Sequence, residues 1–284
     1  MSLRPVGLHT AVSGGLLRAV ARAEATGCTA LQVFPSNPRG WAVPDPDASE
    51  EAAFAAACDE RHWPRFVHAP YLVNLAAPDD RVFERSCGSL EFALRRARSF
   101  RATSVVVHAG STVGPDRKTA RRRAATALLH LLDTVPGSEV AVELTAGGGE
   151  RSLARRVGDV AALVEACGAD ERVGVCLDSC HLWAAGVEWT TPAGLGRLRA
   201  DVRELGPSRI RVVHVNDSHD PLGSGRDHHA NLGDGQLGVD AFGSFVRAPE
   251  WRHAPLICET PGTEPRRAAD VAIVRAALRA RRTR

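Results

Sequence analysis

Short runs of apolar and β-branched residues recur along the chain and alternate with longer segments of helical pattern. Eight runs are predicted strands: Val6–His9, Ala30–Phe34, Phe66–Ala69, Ser104–Ala109, Val140–Leu144, Val173–Asp178, Ile210–Asn216 and Leu256–Glu259. Most of them are apolar at nearly every position, as is typical of parallel strands covered on both faces. The predicted helices between them are Gly15–Ala25, Arg85–Phe100, Lys118–Leu132, Ser152–Ala166, Ala193–Leu205 and Ala268–Arg282.

This alternation predicts an α/β fold, a (β/α)8 TIM barrel that forms a single domain over residues 1–284. An open doubly wound sheet is the alternative, but no G-x-G-x-x-G sequence follows the first strand, which removes the main reason to prefer it. We expect residues 280–284 to form a frayed tail. Residues 217–236 form a long loop after the seventh predicted strand, and loops of that length in a compact domain are usually functional.

Potential metal ligands end six successive predicted strands, and three more lie in the loops that follow them. In a parallel barrel the carboxyl ends of all strands share one face, so these side chains converge. A carboxylate buried at such a strand end costs several kcal/mol, roughly, unless it is paired or bound to a metal. The nine candidate ligands are His68, His108, Glu143, Asp178, His181, His214, Asp227, His229 and Glu259.

The mixture of imidazole and carboxylate donors suits Zn2+, with Mn2+ or Fe2+ as partial alternatives. Because a catalytic zinc ion takes about three protein ligands, nine donors predict about three ions. Clustered divalent ions stabilise the attacking and leaving oxygens in phosphoryl transfer, which makes a phosphate ester a plausible substrate.

Charge is distributed unevenly along the chain. The 36 basic and 33 acidic residues give a formal charge of +3, but residues 266–284 contain seven Arg and one Asp, so the remainder sums to −3. An anionic partner must therefore be held by local arginines or by metal ions. Lys118 is the only lysine, which disfavours imine chemistry.

The chain lacks an apolar run of about 18 residues, which a membrane helix would need. It also lacks the apolar core of a signal peptide, and its seven cysteines form no C-x-x-C pair. These features predict a cytoplasmic protein with reduced thiols and no membrane association.

Motifs along nearly the whole chain occur in the same order as in one known protein family. They are GLHTAVSGGL (7–16), NPRGW (37–41), VHAPYLVNLA (67–76), VVHAGS (106–111), VELTAGGG (142–149), CLDSCHLWAAG (176–186), VHVNDS (213–218), GSGRDHHANLGDGQ (223–236) and ICETPG (257–262). Together they resemble the endonuclease IV family of apurinic/apyrimidinic endonucleases. The CLDxCH and RDxHxxLGxG motifs are specific to it.

The resemblance implies a TIM barrel with a trinuclear zinc centre, in which Glu143 and Glu259 are also catalytic. One zinc ion is then held by His68, His108 and Glu143. Glu143 bridges to a second ion, whose other ligands are Asp178, His214 and Glu259. The third ion is held by His181, Asp227 and His229.

The activity implied by the resemblance is hydrolysis of the phosphodiester 5′ to an abasic site in duplex DNA by a metal-activated water. The products are a 3′-hydroxyl and a 5′-deoxyribose phosphate. Arg39, Tyr71 and Leu72 match the family's residues that insert into the duplex, and a missing base lowers the cost of flipping the nucleotide out. Like the family, the chain is expected to act as a monomer without an obligate protein partner.

Two positions depart from the family's motifs, and a third has an open role. The family's Glu-Asn-Thr-Ala-Gly motif has Leu144 in place of the asparagine, which puts a contact beside the metal ligands in doubt. Ser36 replaces a basic residue that is common in the family, so the grip on DNA is expected to be weaker. His9 matches a family histidine whose role the sequence leaves open between core packing, support of a ligand and contact with phosphate.

Three other classes of function are compatible with parts of the sequence. The main alternative is a metal-dependent sugar isomerase or epimerase of the xylose-isomerase-like barrels, which share the fold and strand-end ligands but tend towards two-metal sites. The pair Asp227 and His229 supplies ligands for an extra ion and favours the endonuclease. A lyase or glycosylase acting through an amine is disfavoured by the single lysine, and nine convergent ligands are unexpected in a non-catalytic DNA-binding module.

Overall fold

A closed barrel of eight parallel strands forms the centre of the molecule, in a computed structural model that describes residues 4–112 and 116–280. The chain's strands are β1 (Val6–His9), β2 (Ala30–Val33), β3 (Arg65–His68), β4 (Ser104–His108), β5 (Val140–Glu143), β6 (Val173–Asp178), β7 (Ile210–His214), β8 (Asp217–Ser218), β9 (His229–Ala230) and β10 (Leu256–Cys258). Strands β1 to β7 follow each other around the barrel, and β10 closes it between β7 and β1. The predicted (β/α)8 fold is therefore confirmed.

Helices surround the barrel. Those within the described residues are α1 (Leu16–Ala25), α2 (Ala48–Glu60), α3 (Asp80–Ser99), α4 (Arg117–Thr134), α5 (Val157–Ala166), α6 (Ser179–Ala184), α7 (Pro192–Leu205), α8 (Val239–Val246) and α9 (Glu264–Arg279). None of them is both long enough and apolar enough to span a membrane. The predicted frayed tail at 280–284 lies, apart from Ala280, outside the described residues.

Three helices were not predicted, and three others begin four or five residues from their predicted starts: α3 and α9 begin earlier, and α5 begins later. Helix α2 was not predicted because the charged Glu51 on its buried face interrupts the hydrophobic period. Glu51 pairs there with Arg96 of α3. Helices α6 and α8 were not predicted either, and they are too short to show a clear period. Helix α3 begins five residues before its predicted start because the Asp79 carboxylate accepts hydrogen bonds from the first turn, which caps it.

The barrel interior contains a layer of apolar side chains, one each from seven strands. This inner apolar layer consists of Ala30, Phe66, Val106, Ala141, Cys176, Val212 and Ile257. Strand side chains alternate in direction, so the residues between these face the surrounding helices, and those two positions further along face the barrel's carboxyl end. Cys176 keeps this alternation although the register of β6 against β7 shifts at that point.

The long loop after β7 is ordered by a small ribbon of its own. Strands β8 and β9 pair antiparallel, with Asp217 opposite Ala230 and Ser218 opposite His229. The segment predicted as a long loop therefore contains a two-stranded ribbon, which brings His229 back to the barrel mouth.

Candidate metal centre

Each barrel strand contributes one polar residue at or within one position of its carboxyl end. This strand-end ring consists of His9, Gln32, His68, His108, Glu143, Asp178, His214 and Glu259. The alternation of strand side chains aims the ring into the barrel mouth, directly above the inner apolar layer. Six of the nine candidate ligands belong to the ring, and the remaining three approach from α6 and the long loop after β7.

The first donor group joins β3, β4 and β5. The Nε2 atoms of His68 and His108 lie 3.0 and 2.9 Å from the same oxygen, Oε2 of Glu143. His68 Nδ1 donates to the carbonyl of Ala69 at 2.6 Å. Because that nitrogen carries the proton, the Nε2 lone pair of a neutral His68 faces the carboxylate.

The second donor group shares Glu143 with the first. His214 Nδ1 lies 2.9 Å from Oε1 of Glu143 and 3.1 Å from Oε2 of Glu259. Oδ2 of Asp178 is 3.7 Å from the same nitrogen. Glu143 thus presents one oxygen to each group, which is the arrangement that a bridging carboxylate needs.

The third donor group is supplied by α6 and the long loop. The Nε2 atoms of His181 and His229 each lie 3.1 Å from Oδ1 of Asp227. His181 Nδ1 donates to the carbonyl of Leu144 at 2.8 Å, so its Nε2 lone pair faces the group. Asp178 lies between the second and third groups, because its Oδ2 is 3.8 Å from His229 Nε2.

Strong electrostatic pairing accompanies the burial of these donors. Burial alone would raise the pKa of Glu143, but the imidazoles of His214 and His108 outweigh it and hold the pKa well below its usual value. Burial would likewise lower the pKa of His181, yet the carboxylates of Asp178 and Asp227 raise it well above its usual value. The site therefore attracts positive charge strongly at neutral pH.

The donor set fits metal ions. Imidazole nitrogens and carboxylate oxygens face each other at 2.9–3.1 Å, so each such pair needs either a proton or a metal ion between its lone pairs. Each group's donor atoms lie within 4.8 Å of one another, and ligands of one tetrahedral ion at ~2.1 Å would be ~3.4 Å apart. Histidine ligands in metal sites characteristically commit their second nitrogen to a fixed partner, as His68 and His181 do here.

The loop that carries Asp227 and His229 is held by two buried carboxylates. Both oxygens of Asp217 accept from backbone N–H groups, among them those of Gly233 and Leu237 at 2.9 Å. A second buried carboxylate, Asp270 of α9, accepts from Leu232 N at 3.0 Å and from Thr260 Oγ1 at 2.6 Å. Asp270 thereby joins the loop to the segment that follows Glu259. Sequence reasoning missed both residues.

The predicted DNA-contacting residues lie at the rim of the mouth. Tyr71 is 46% exposed, and its ring centroid lies 5.5 Å from that of His68. Leu72 is half-buried, and Arg39 is exposed on the loop after β2. Tyr71 N donates to the carbonyl of Pro38 at 3.1 Å, so the two rim loops are joined.

Two cavities open on either side of Tyr71. The larger, of about 620 Å³, extends past His9 and Glu259 to Arg267. The other, of about 490 Å³, is lined by residues of the first and third donor groups and by the glycine-rich segment 147–148. A compact ligand entering the second cavity would therefore contact the candidate ligands directly.

The three positions singled out in the sequence, Leu144, His9 and Ser36, now have definite surroundings. The Leu144 side chain is fully buried in the apolar shell, so only its carbonyl reaches the site, through His181. His9 Nδ1 lies 2.8 Å from Oε1 of Glu259, which makes contact with a candidate ligand its main polar interaction. Ser36 lines the larger cavity, and His228 is exposed and faces Asp220.

Comparison with known proteins first defines a class. The sequence model of the xylose isomerase-like TIM barrel family matches residues 20–282. An L-ribulose 3-epimerase structure covers 96% of this chain and 92% of its own, with a TM-score of 0.68, but at 16% identity it shows the fold alone. The chain is thus a xylose isomerase-like barrel.

Nearer relatives narrow the class. A probable endonuclease 4 of Streptomyces avermitilis is 41% identical over 277 residues, 95% of this chain and 89% of the relative. One from Methanoculleus marisnigri is 38% identical over 264 residues, 92% and 94% of the two chains. The crystal structure of endonuclease IV from Thermus thermophilus has a TM-score of 0.83 at 33% identity, covering 96% of this chain and 98% of that one. This chain belongs to the endonuclease IV family, as its motifs predicted.

Proposed function

We propose that this protein is a zinc-dependent endonuclease that hydrolyses the phosphodiester 5′ to abasic sites in duplex DNA. The products are a 3′-hydroxyl and a 5′-deoxyribose phosphate. The observation that carries the proposal is the meeting of three donor groups at one barrel mouth, two of them joined through the carboxylate of Glu143. Membership of the endonuclease IV family supplies the reaction class.

Three zinc ions match the donor groups. His68, His108 and Glu143 would hold one ion, and His181, Asp227 and His229 another. The ion between them would take Glu143, Asp178, His214 and Glu259 as ligands. When bound, such ions act as Lewis acids on the phosphate and activate the attacking water. Mixed imidazole and carboxylate donors favour zinc over magnesium, and Mn2+ or Fe2+ could replace it in part.

The chain's own residues then bind and orient the substrate. Tyr71 has an exposed ring above the first donor group and can stack on bases next to the lesion, while Leu72 and Arg39 lie beside it on the same rim. The abasic sugar would enter the cavity of about 490 Å³ between Tyr71 and Gly148, which residues of the first and third donor groups line. We propose that the protein acts as a cytoplasmic monomer.

Metal content and one ligand variant test this proposal together. Protein purified without chelator should contain about three metal ions per chain, mostly zinc, by elemental analysis. Glu259→Gln should retain the fold and lose most incision of abasic duplex, because an amide is a poorer ligand for the central ion. Glu264→Gln is the matched control, since Glu264 is exposed at the start of α9 and should keep wild-type activity.

Two results would contradict the proposal. A wild-type content of one ion or none would exclude the trinuclear centre. Loss of all incision with interconversion of a free ketose and aldose would instead favour a sugar isomerase or epimerase of the same barrel class.

A further inference from the structure

Gln32 is the one member of the strand-end ring that is neither a carboxylate nor an imidazole. It lies on β2, is fully buried, and occupies the level of the ring between His9 and His68. The residue two positions before it, Ala30, belongs to the inner apolar layer. Burial of an amide costs free energy unless its N–H donors and its oxygen have hydrogen-bond partners, so the partners of Gln32 indicate why an amide is present there.

The Gln32 amide connects two candidate ligands. Its Nε2 lies 2.7 Å from Oε1 of Glu259, and its Oε1 lies 3.0 Å from Nε2 of His214. A carboxylate oxygen can only accept, so the amide nitrogen must face Glu259. The reverse orientation would set two oxygens against each other at 2.7 Å. Glu259 therefore fixes the amide, and the amide oxygen then requires a proton on His214 Nε2.

The consequence for His214 is a defined tautomer. With the proton on Nε2, the Nδ1 atom has its lone pair free, and Nδ1 is the atom that faces Glu143 and Glu259 in the second donor group. Without the Gln32 oxygen, nothing in this contact would prevent the proton from residing on Nδ1, where it would block a metal ion.

The two carboxylate oxygens of Glu259 have different partners. Oε1 accepts from Gln32 Nε2 and lies 2.8 Å from His9 Nδ1, which is within hydrogen-bond distance. Oε2 is left facing His214 Nδ1 at 3.1 Å. Gln32 Nε2 also lies 3.0 Å from His9 Nδ1. The amide and the imidazole thus meet the same oxygen of Glu259, and the other oxygen faces the donor group.

We propose that Gln32 is a positioning residue that sets the ligand atoms of His214 and Glu259 for the central metal ion, with His9 supporting the same carboxylate. This inference rests on the proposed metal centre. Apolar packing does not account for the residue, because a side chain of similar length such as Met would fill the same space without two polar groups to satisfy.

Gln32→Met removes the amide with little change in length. Partners that orient metal ligands are typically worth 10–100-fold in metal affinity. The free zinc concentration at half-occupancy of the weakest site should therefore rise about 10–100-fold, measured by competition with a chromophoric chelator. The control is Leu31→Met, which places the same side chain one position earlier, where it faces the helices rather than the site.

Two further measurements separate positioning from simple stability. Protein reconstituted with Co2+ should show a changed visible spectrum in Gln32→Met and an unchanged one in Leu31→Met, because the spectrum reports ligand geometry. Urea unfolding should show that Gln32→Met loses more stability with zinc bound than without it, since weaker binding reduces the stabilisation by ligand.

The outcomes are distinct. If wild type binds about three zinc ions and Gln32→Met matches it in affinity and cobalt spectrum, the positioning role is wrong and the proposed function stands. An equal loss of stability in the zinc-free and zinc-loaded variant also overturns it, because that pattern indicates packing alone. If wild type itself binds no zinc, the metal centre fails first.

Discussion

Asp217 is a buried carboxylate that organises the loop carrying Asp227 and His229. Asp217→Asn tests whether the order of this loop is needed for the third donor group to bind its metal ion. Oδ2 accepts from Gly233 N at 2.9 Å and Gly235 N at 3.2 Å, and Oδ1 accepts from Ser218 N at 2.8 Å and Leu237 N at 2.9 Å. Gly235 passes so close that a β-carbon there would lie 2.4 Å from Oδ1.

Asparagine keeps one oxygen and turns an NH2 group towards two N–H donors, so two hydrogen bonds are lost. Each buried donor left unsatisfied costs about 1–3 kcal/mol, which gives about 2–6 kcal/mol for opening the loop. A cost of about 2 kcal/mol corresponds to a rise of about 30-fold in the population of molecules with an open loop.

The assay is limited proteolysis with trypsin, mapped by mass spectrometry. Arg226 lies in the loop with its side chain 76% exposed and reports on opening. Cleavage there should accelerate about 30-fold or more when opening is fast relative to cleavage, and the zinc content should fall from about three to about two. Asp234→Asn is the control in the same loop, because Asp234 is exposed and its pair with Arg266 contributes little. Wild-type cleavage and zinc content in Asp217→Asn would refute the reasoning.

Two other predictions concern DNA and pH. Tyr71→Ala should weaken binding of abasic duplex by about 1–3 kcal/mol, the value of one aromatic stack, and leave zinc content unchanged; unaltered binding in a gel-shift titration would exclude the stacking role. Burial opposes protonation of His229, but Asp227 and Asp178 raise its pKa from 6.5 to about 9. Its contribution to the stability of zinc-free protein is therefore full below pH 6.5 and lost as the pH rises to about 9. Urea midpoints of the zinc-free protein that rise with pH over this window would contradict this account. Zinc affinity should rise over the same window, because the ion binds the unprotonated ring.

The candidate ligands could be found from the sequence because they are ionisable residues in otherwise apolar strands. Glu143 and Asp178, for example, each end a run of buried β-branched or small residues, where a carboxylate needs an explanation. Strand alternation and the common face of a parallel barrel then bring them together. The same periodicity applies to Gln32, but a neutral amide does not attract attention in a search for ligands.

Other features depend on contacts between distant segments. Asp217 accepts from Gly233 N, 16 residues away, and Asp270 accepts from Leu232 N, 38 residues away, so no local pattern encodes their roles. Leu144 could be recognised as a departure, but only packing reveals that its side chain faces away from the site. Helix α2 was hidden because Glu51 on its buried face is neutralised by Arg96 of another helix.

The most direct test of the central claim is incision of a duplex that contains one tetrahydrofuran abasic analogue, without added divalent metal. The analogue has no aldehyde and cannot undergo β-elimination, so a lyase fails on it and a metal-dependent hydrolase does not. We predict a single nick on the 5′ side, a 3′ end that a polymerase extends, and loss of activity after prolonged chelation. An intact duplex with zinc-loaded protein, or a nick whose 3′ end cannot be extended, would contradict the proposed reaction.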